Sequence, residues 1–126
     1  MHVPITATYA GLLGLLVLIL AFRVVAVRRA TAIGLGDGGN ALLLSRIRIH
    51  GNAAEYVPLA LLLMLLLEVN GASARMLHAL GIALVVGRLA HAQGLSQSVG
   101  VSAGRFVGNV LTWSVIAVAA VENVLR

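Results

Sequence analysis

Four long apolar runs, separated by short stretches rich in Gly, Asn and Ser, organise this chain. They cover about 5–27, 40–70, 74–92 and 103–125. The hydrocarbon layer of a bilayer takes about 20 apolar residues per helix. None of the runs alternates apolar and polar residues with the period of two that a strand requires, so each predicts a membrane-spanning helix. Gly34-Leu35-Gly36-Asp37-Gly38-Gly39 predicts a flexible turn after the first span. A nucleotide-binding glycine loop would need a preceding strand, and here a membrane span precedes it. Asn70-Gly71 reads as a C-cap of the second span and Ser73 as an N-cap of the third. The stretch from Gly94 to Gly104 predicts the last connection. No internal repeat is visible, and the pattern reads as one transmembrane domain over 1–126. The first run lacks a basic leader and is too long for a signal-peptide core, so it is read as a retained span.

Composition agrees with this pattern and narrows it. The chain is 60% hydrophobic and 10% charged, with a mean hydropathy of +1.03. That excludes an ordinary soluble globule or a disordered segment, because too few polar groups exist to cover a water-facing surface. The net charge is +5, and the nine basic residues are all Arg. They are scattered between apolar runs with few aromatics, which argues against nucleic acid as a partner. Arg28, Arg29, Arg46 and Arg48 cluster around the first connection, Arg75 is alone in the second, and Arg88 and Arg105 flank the third. The positive-inside rule places the first and third connections in the cytoplasm and both termini on the other side. With no cysteine, disulfides, thiolate metal sites and a protein thiol nucleophile are excluded; no metal site is read.

The informative residues are the polar ones inside the spans, since a charge in hydrocarbon costs several kcal/mol unless it is paired or faces a wet cavity. At about 100° per residue, Arg48, Asn52, Glu55 and Tyr56 fall at roughly 0°, 40°, −20° and 80° around the second helix. This stripe is expected to point into the bundle. Pro58 removes one backbone hydrogen bond and predicts a kink one turn above the stripe. Alternating helix directions bring Arg88 and His91, at the end of the third span, to the same depth as Arg105, Asn109 and Thr112 at the start of the fourth. Arg48, Arg88 and Arg105 against Glu55 leave a local excess of two positive charges (three minus one), suited to a ligand with more than one negative group. A structural Arg48–Glu55 or Arg88–Glu55 pair is the competing reading. Gly100, Gly104 and Gly108 recur every four residues and predict close helix contact. Glu68 and Glu122 read as interfacial.

Arg48-x-x-x-Asn52-x-x-Glu55-Tyr56, opening the second of four spans, resembles the signature of the membrane-associated proteins in eicosanoid and glutathione metabolism, the MAPEG family. The stretch from Arg46 to Pro58 is similar to its small bacterial members. Gly87-Arg88-Leu89-Ala90-His91 and Arg105-x-x-Gly108-x-x-x-Thr112 match further points, and the resemblance covers nearly the whole chain. It implies an all-α integral membrane four-helix bundle, a homotrimer, and glutathione as co-substrate held between neighbouring subunits. In its terms Arg48, Asn52, Glu55, Tyr56, Arg88 and His91 bind glutathione, and Arg105, or alternatively Arg88, stabilises the thiolate, with Arg105 taken as the catalytic residue. Several eicosanoid-making members carry tyrosines where this chain has His91 and Leu95, which argues against a specialised leukotriene or prostaglandin synthase.

The expected function is a membrane-bound glutathione transferase, or peroxidase, of a bacterial inner membrane, joining the thiol to hydrophobic electrophiles that enter from the lipid bilayer. The alternatives are a non-catalytic lipid- or ligand-binding member of the same family and, third, a small transport or assembly subunit.

Overall fold

A computed structural model describes residues 2–97 and 102–126. It contains α1 (Pro4–Thr31), α2 (Ala41–Val69), α3 (Ala74–Gln97) and α4 (Ala103–Leu125), all long and apolar enough to cross a membrane. The helices alternate in direction. α2 and α3 touch along the middle of the bundle, with α1 packed against both on one side and α4 against both on the other. The core follows α2 through Ile49, Ala53, Val57, Ala60, Met64 and Leu67, and is completed by Tyr9, Leu13 and Leu20 of α1, Leu77, Leu80 and Leu84 of α3, and Val115 and Ala119 of α4.

Most boundaries fall where the sequence predicts them. Asn40 caps α2 by accepting a bond from the Leu43 amide, and Asn70 ends it, followed by Gly71 at φ +80°. The Ser73 hydroxyl accepts from the Met76 amide at 3.3 Å. The glycine-rich connection is a turn with Gly36, Gly38 and Gly39 at positive φ. Two helices outrun their expected ends. α1 continues to Thr31, placing Arg28 and Arg29 in its last turn, where cations complement the negative end of the helix dipole. α3 continues through Gly94 to Gln97 because its last turns lie against α4. α2 runs as one helix through Pro58, so the kink expected there does not divide it. Gly100 lies outside the described residues.

At the end remote from most arginines, a side chain from another helix completes the start of α1. Pro4 has no N–H to satisfy, and the Ala7 amide bonds the Val3 carbonyl. The amides of Ile5 and Thr6 donate to the two carboxylate oxygens of Glu68 at 3.0 and 2.7 Å. The expectation of a merely interfacial Glu68 is thus refined: it supplies the N-terminal cap that Val3 cannot. Glu122 pairs with Arg126 at 3.6 Å. Glu68→Ala is expected to fray the first turn of α1 and to lower stability by about 1.5–3 kcal/mol, the range for hydrogen bonds to charged groups. Hydrogen exchange at Ile5 and Thr6 checks it, and unchanged protection of both amides would refute it.

Candidate functional site

The site forms where the start of α2, the end of α3 and the start of α4 meet. Glycines set the α3–α4 distance. A Cβ on Gly108 would lie 2.6 Å from the Gly87 carbonyl and 2.7 Å from the His91 amide and Cβ. One on Gly94 would lie 2.6 Å from the Arg105 amide, and one on Gly104 2.9 Å from the Ala90 carbonyl. Only hydrogen at these positions lets the backbones come so near. Ser102 caps α4 by accepting from the Arg105 amide at 3.2 Å, so Arg105 stands in the first turn, at the positive end of the helix dipole.

A cavity of about 380 Å³ opens there, lined by Leu44, Ser45, Arg48, Asn52, His91, Arg105 and Asn109. Its size lies in the range of small-molecule sites. No carboxylate is among these residues. Behind Asn52 stands Arg88, only 1% exposed. Its Nη2 donates to Asn52 Oδ1 at 2.6 Å, and its Nη1 to Thr112 Oγ1 at 3.3 Å. Thr112 in turn donates to the Gly108 carbonyl at 2.8 Å. Both described partners of this guanidinium are neutral, so among the described residues a positive charge sits buried without a counter-charge in direct contact. Arg88 Nε, His91 Nδ1 and Asn109 Oδ1 are buried and have no hydrogen-bond partner among the described residues. Unmet polar groups around one concavity are what a polar ligand would satisfy.

The four residues of the α2 stripe separate. Taking Arg48 as 0°, the buried positions Ile49, Ala53, Val57 and Ala60 centre at roughly 140°. Arg48 and Glu55 therefore lie on the outer edge of α2, Arg48 reaching the open rim of the cavity and Glu55 turned away from it, contrary to the expectation that the whole stripe points inward. Their side chains are 54% and 57% exposed and pair loosely at 3.9 Å, with the Arg48 guanidinium passing over Gly51. The physical reason is that the apolar ridge of α2 fits its neighbours, which turns the charged edge outward. Asn52 and Tyr56 sit at the border. Tyr56 meets Trp113 edge-on, with ring centroids 6.4 Å apart, and Trp113 remains exposed on α4. The structure thus brings Arg48, Asn52, His91 and Arg105 to the cavity. Arg88 touches it through Asn52, and Glu55 and Tyr56 lie farther along α2. Asn109, expected at this depth from its spacing to Arg105, lines the cavity; Ser45 does too, and the sequence reading missed it although it stands three residues before Arg48. Trp113 carried no such signal.

A bundle of four apolar helices enclosing an arginine-lined cavity at one end defines an integral membrane protein with a polar site. Residues 6–125 match the MAPEG family, and the chain belongs to it. Among its relatives is the inner membrane protein YecN of Escherichia coli, in strain K12 and in strain O6:H1. Each is 41% identical over 119 residues, which cover 94% of this chain and 89% of the relative. No solved structure matches the chain.

Proposed function

We propose that this protein is a glutathione-using transferase of a bacterial inner membrane, working as a homotrimer with both chain termini on the non-cytoplasmic side. One observation carries the reading: among the described residues Arg88 is buried with only neutral partners, beside a cavity lined by Arg48 and Arg105 and by no carboxylate. Such a site attracts an anion of more than one charge. Glutathione offers two carboxylates and one ammonium at neutral pH, and donors and acceptors along its backbone for Asn52, His91 and Asn109. With no cysteine in the chain, the nucleophile is the ligand's own sulfur. Arg105 and the start of α4 favour the thiolate there. An apolar electrophile arrives from the lipid, and holding both reactants together contributes to rate by removing the entropy of encounter.

The outward pair of Arg48 and Glu55 supports the trimer. Glu55 lies 14 residues into a 29-residue span, where lipid contact is costly. A neighbouring subunit would cover both groups and give the glutathione ammonium a carboxylate partner. The inner-membrane location follows the YecN relatives.

The test is calorimetry with glutathione and turnover with chlorodinitrobenzene on purified protein. In that reaction the thiolate sulfur bonds the ring carbon, chloride leaves, and the thiol proton passes to water. Saturable binding with conjugate formation is expected. Binding without turnover favours the ligand-binding reading, and no binding removes the proposal.

A further inference from the structure

The arginines at the end of α1 lie apart from the cavity and take no part in the proposed reaction. α1 is 28 residues long, about 42 Å at 1.5 Å per residue, against about 30 Å of hydrocarbon. Twenty residues counted from Ile5 end at Val24. Arg28 and Arg29 then stand about 6–8 Å farther along the helix, at the depth of lipid phosphates. A shallow, mostly apolar depression of about 310 Å³ opens there, bordered by Val25, Arg28, Arg29, Ala32, Ile33 and Gly34.

This depression is fixed by the fold. Arg28 Nη1 donates to the carbonyls of Ile33 and Gly36, at 3.2 and 2.9 Å. These bonds hold the turn over the end of the helix. Ile33 packs on Gly38, where a Cβ would lie 2.9 Å from Ile33 Cδ1. Ala32 takes the left-handed conformation at φ 55°, a C-cap place usually held by glycine, and its methyl adds to the apolar wall. Val25 is exposed on the side toward the hydrocarbon. The only acid in the connection is Asp37, whose carboxylate accepts from the Gly39 amide at 2.9 Å. An apolar wall on the membrane side and two guanidiniums at phosphate depth complement one kind of molecule: a phospholipid with a net negative headgroup.

We infer that the end of α1 and the glycine-rich turn bind an anionic phospholipid, with Arg28 and Arg29 at the rim of the depression on its phosphate and the acyl chains lying in the apolar depression and running down past Val25. Arginines that read as topology signals in the sequence become a lipid clamp in the fold.

Native mass spectrometry of detergent-purified protein with phosphatidylglycerol or phosphatidylcholine of equal chain length tests this. Phosphatidylglycerol is expected to bind more tightly. Arg29→Gln, which leaves the bonds of Arg28 intact, is expected to reduce that preference about fivefold, the scale of one surface cation near an anionic headgroup. The double variant Arg28→Gln/Arg29→Gln is expected to abolish it. Arg75→Gln, with the same loss of net charge at the opposite end, is expected to leave it unchanged. Millimolar glycerol 3-phosphate is expected to displace nothing, and displacement would make this a soluble-anion site and overturn the lipid assignment. Preference for phosphatidylglycerol that survives Arg29→Gln, or that falls equally with Arg75→Gln, would also overturn it.

Discussion

Arg88→Met is expected to leave a folded bundle whose melting temperature is equal to or above that of the parent, and to weaken glutathione binding at least about thirtyfold, or about 2 kcal/mol. The two effects have opposite signs for one reason. A guanidinium 1% exposed has lost its water, and its only described partners, Asn52 and Thr112, are neutral. Replacing such a buried charge with an apolar side chain of similar length is often neutral or stabilising. An anion in the adjacent cavity recovers the lost solvation through the charge and through Asn52, which Arg88 holds toward that cavity. Removing one side of a desolvated charge pairing typically costs 2–5 kcal/mol of binding. Paired measurements of thermal unfolding and calorimetry decide the matter. A variant that unfolds without any ligand present would make Arg88 a structural strut and would weaken the anion-site reading. One that binds glutathione as tightly as the parent would refute it.

Gly108→Val is expected to lower the melting temperature by about 10 °C or more and to abolish the cavity, whereas Gly11→Ala and Gly14→Ala leave both intact. At Gly108 the new side chain meets the Gly87 carbonyl and the His91 backbone. Backbone cannot turn aside as a flexible side chain does, so α3 and α4 must separate. Overpacking in a close-packed interior commonly costs 1–3 kcal/mol, and a few kcal/mol moves the midpoint of a small protein by about this much. The separation also carries His91 away from Arg105 and Asn109, so binding fails together with stability. At Gly11 and Gly14 nothing lies within 4 Å of an added Cβ. Thermal unfolding of the three purified variants checks the contrast; similar midpoints for all three would mean that the α3–α4 seam is not closely packed.

Much of this fold can be read directly from the amino-acid order. Four spans, the Asn70-Gly71 and Ser73 ends, the glycine turn and the family motif all lie in local stretches whose meaning depends on a few adjacent residues. Gly104 and Gly108 announce close contact by their spacing, and the contact is there. The candidate site was legible as a set of residues at one depth, because depth follows from counting along each span. Its internal arrangement was not. Arg48, Asn52, Glu55 and Tyr56 share a stripe, yet Asn52 turns to Arg88 while Glu55 stays more than half exposed. Nor did local pattern reveal that Glu68 caps a helix 62 residues away in sequence.

By itself the sequence determined that this chain crosses a membrane four times, that most of its arginines gather at one end, and that any thiol it uses belongs to a ligand. Those conclusions rest on length, hydropathy and composition, which are properties of single segments. Tertiary structure alone decided which edge of each helix faces its neighbours. In a helix apolar nearly all round, hydropathy does not choose a side; the choice falls to the fit of Ile49, Ala53, Val57 and Ala60 into the bundle and to glycines that let two backbones meet. That fit is a property of pairs of surfaces, and it sets Arg88 behind the cavity wall, Arg105 upon it, Arg48 at its outer rim and Glu55 farther along α2, off the cavity.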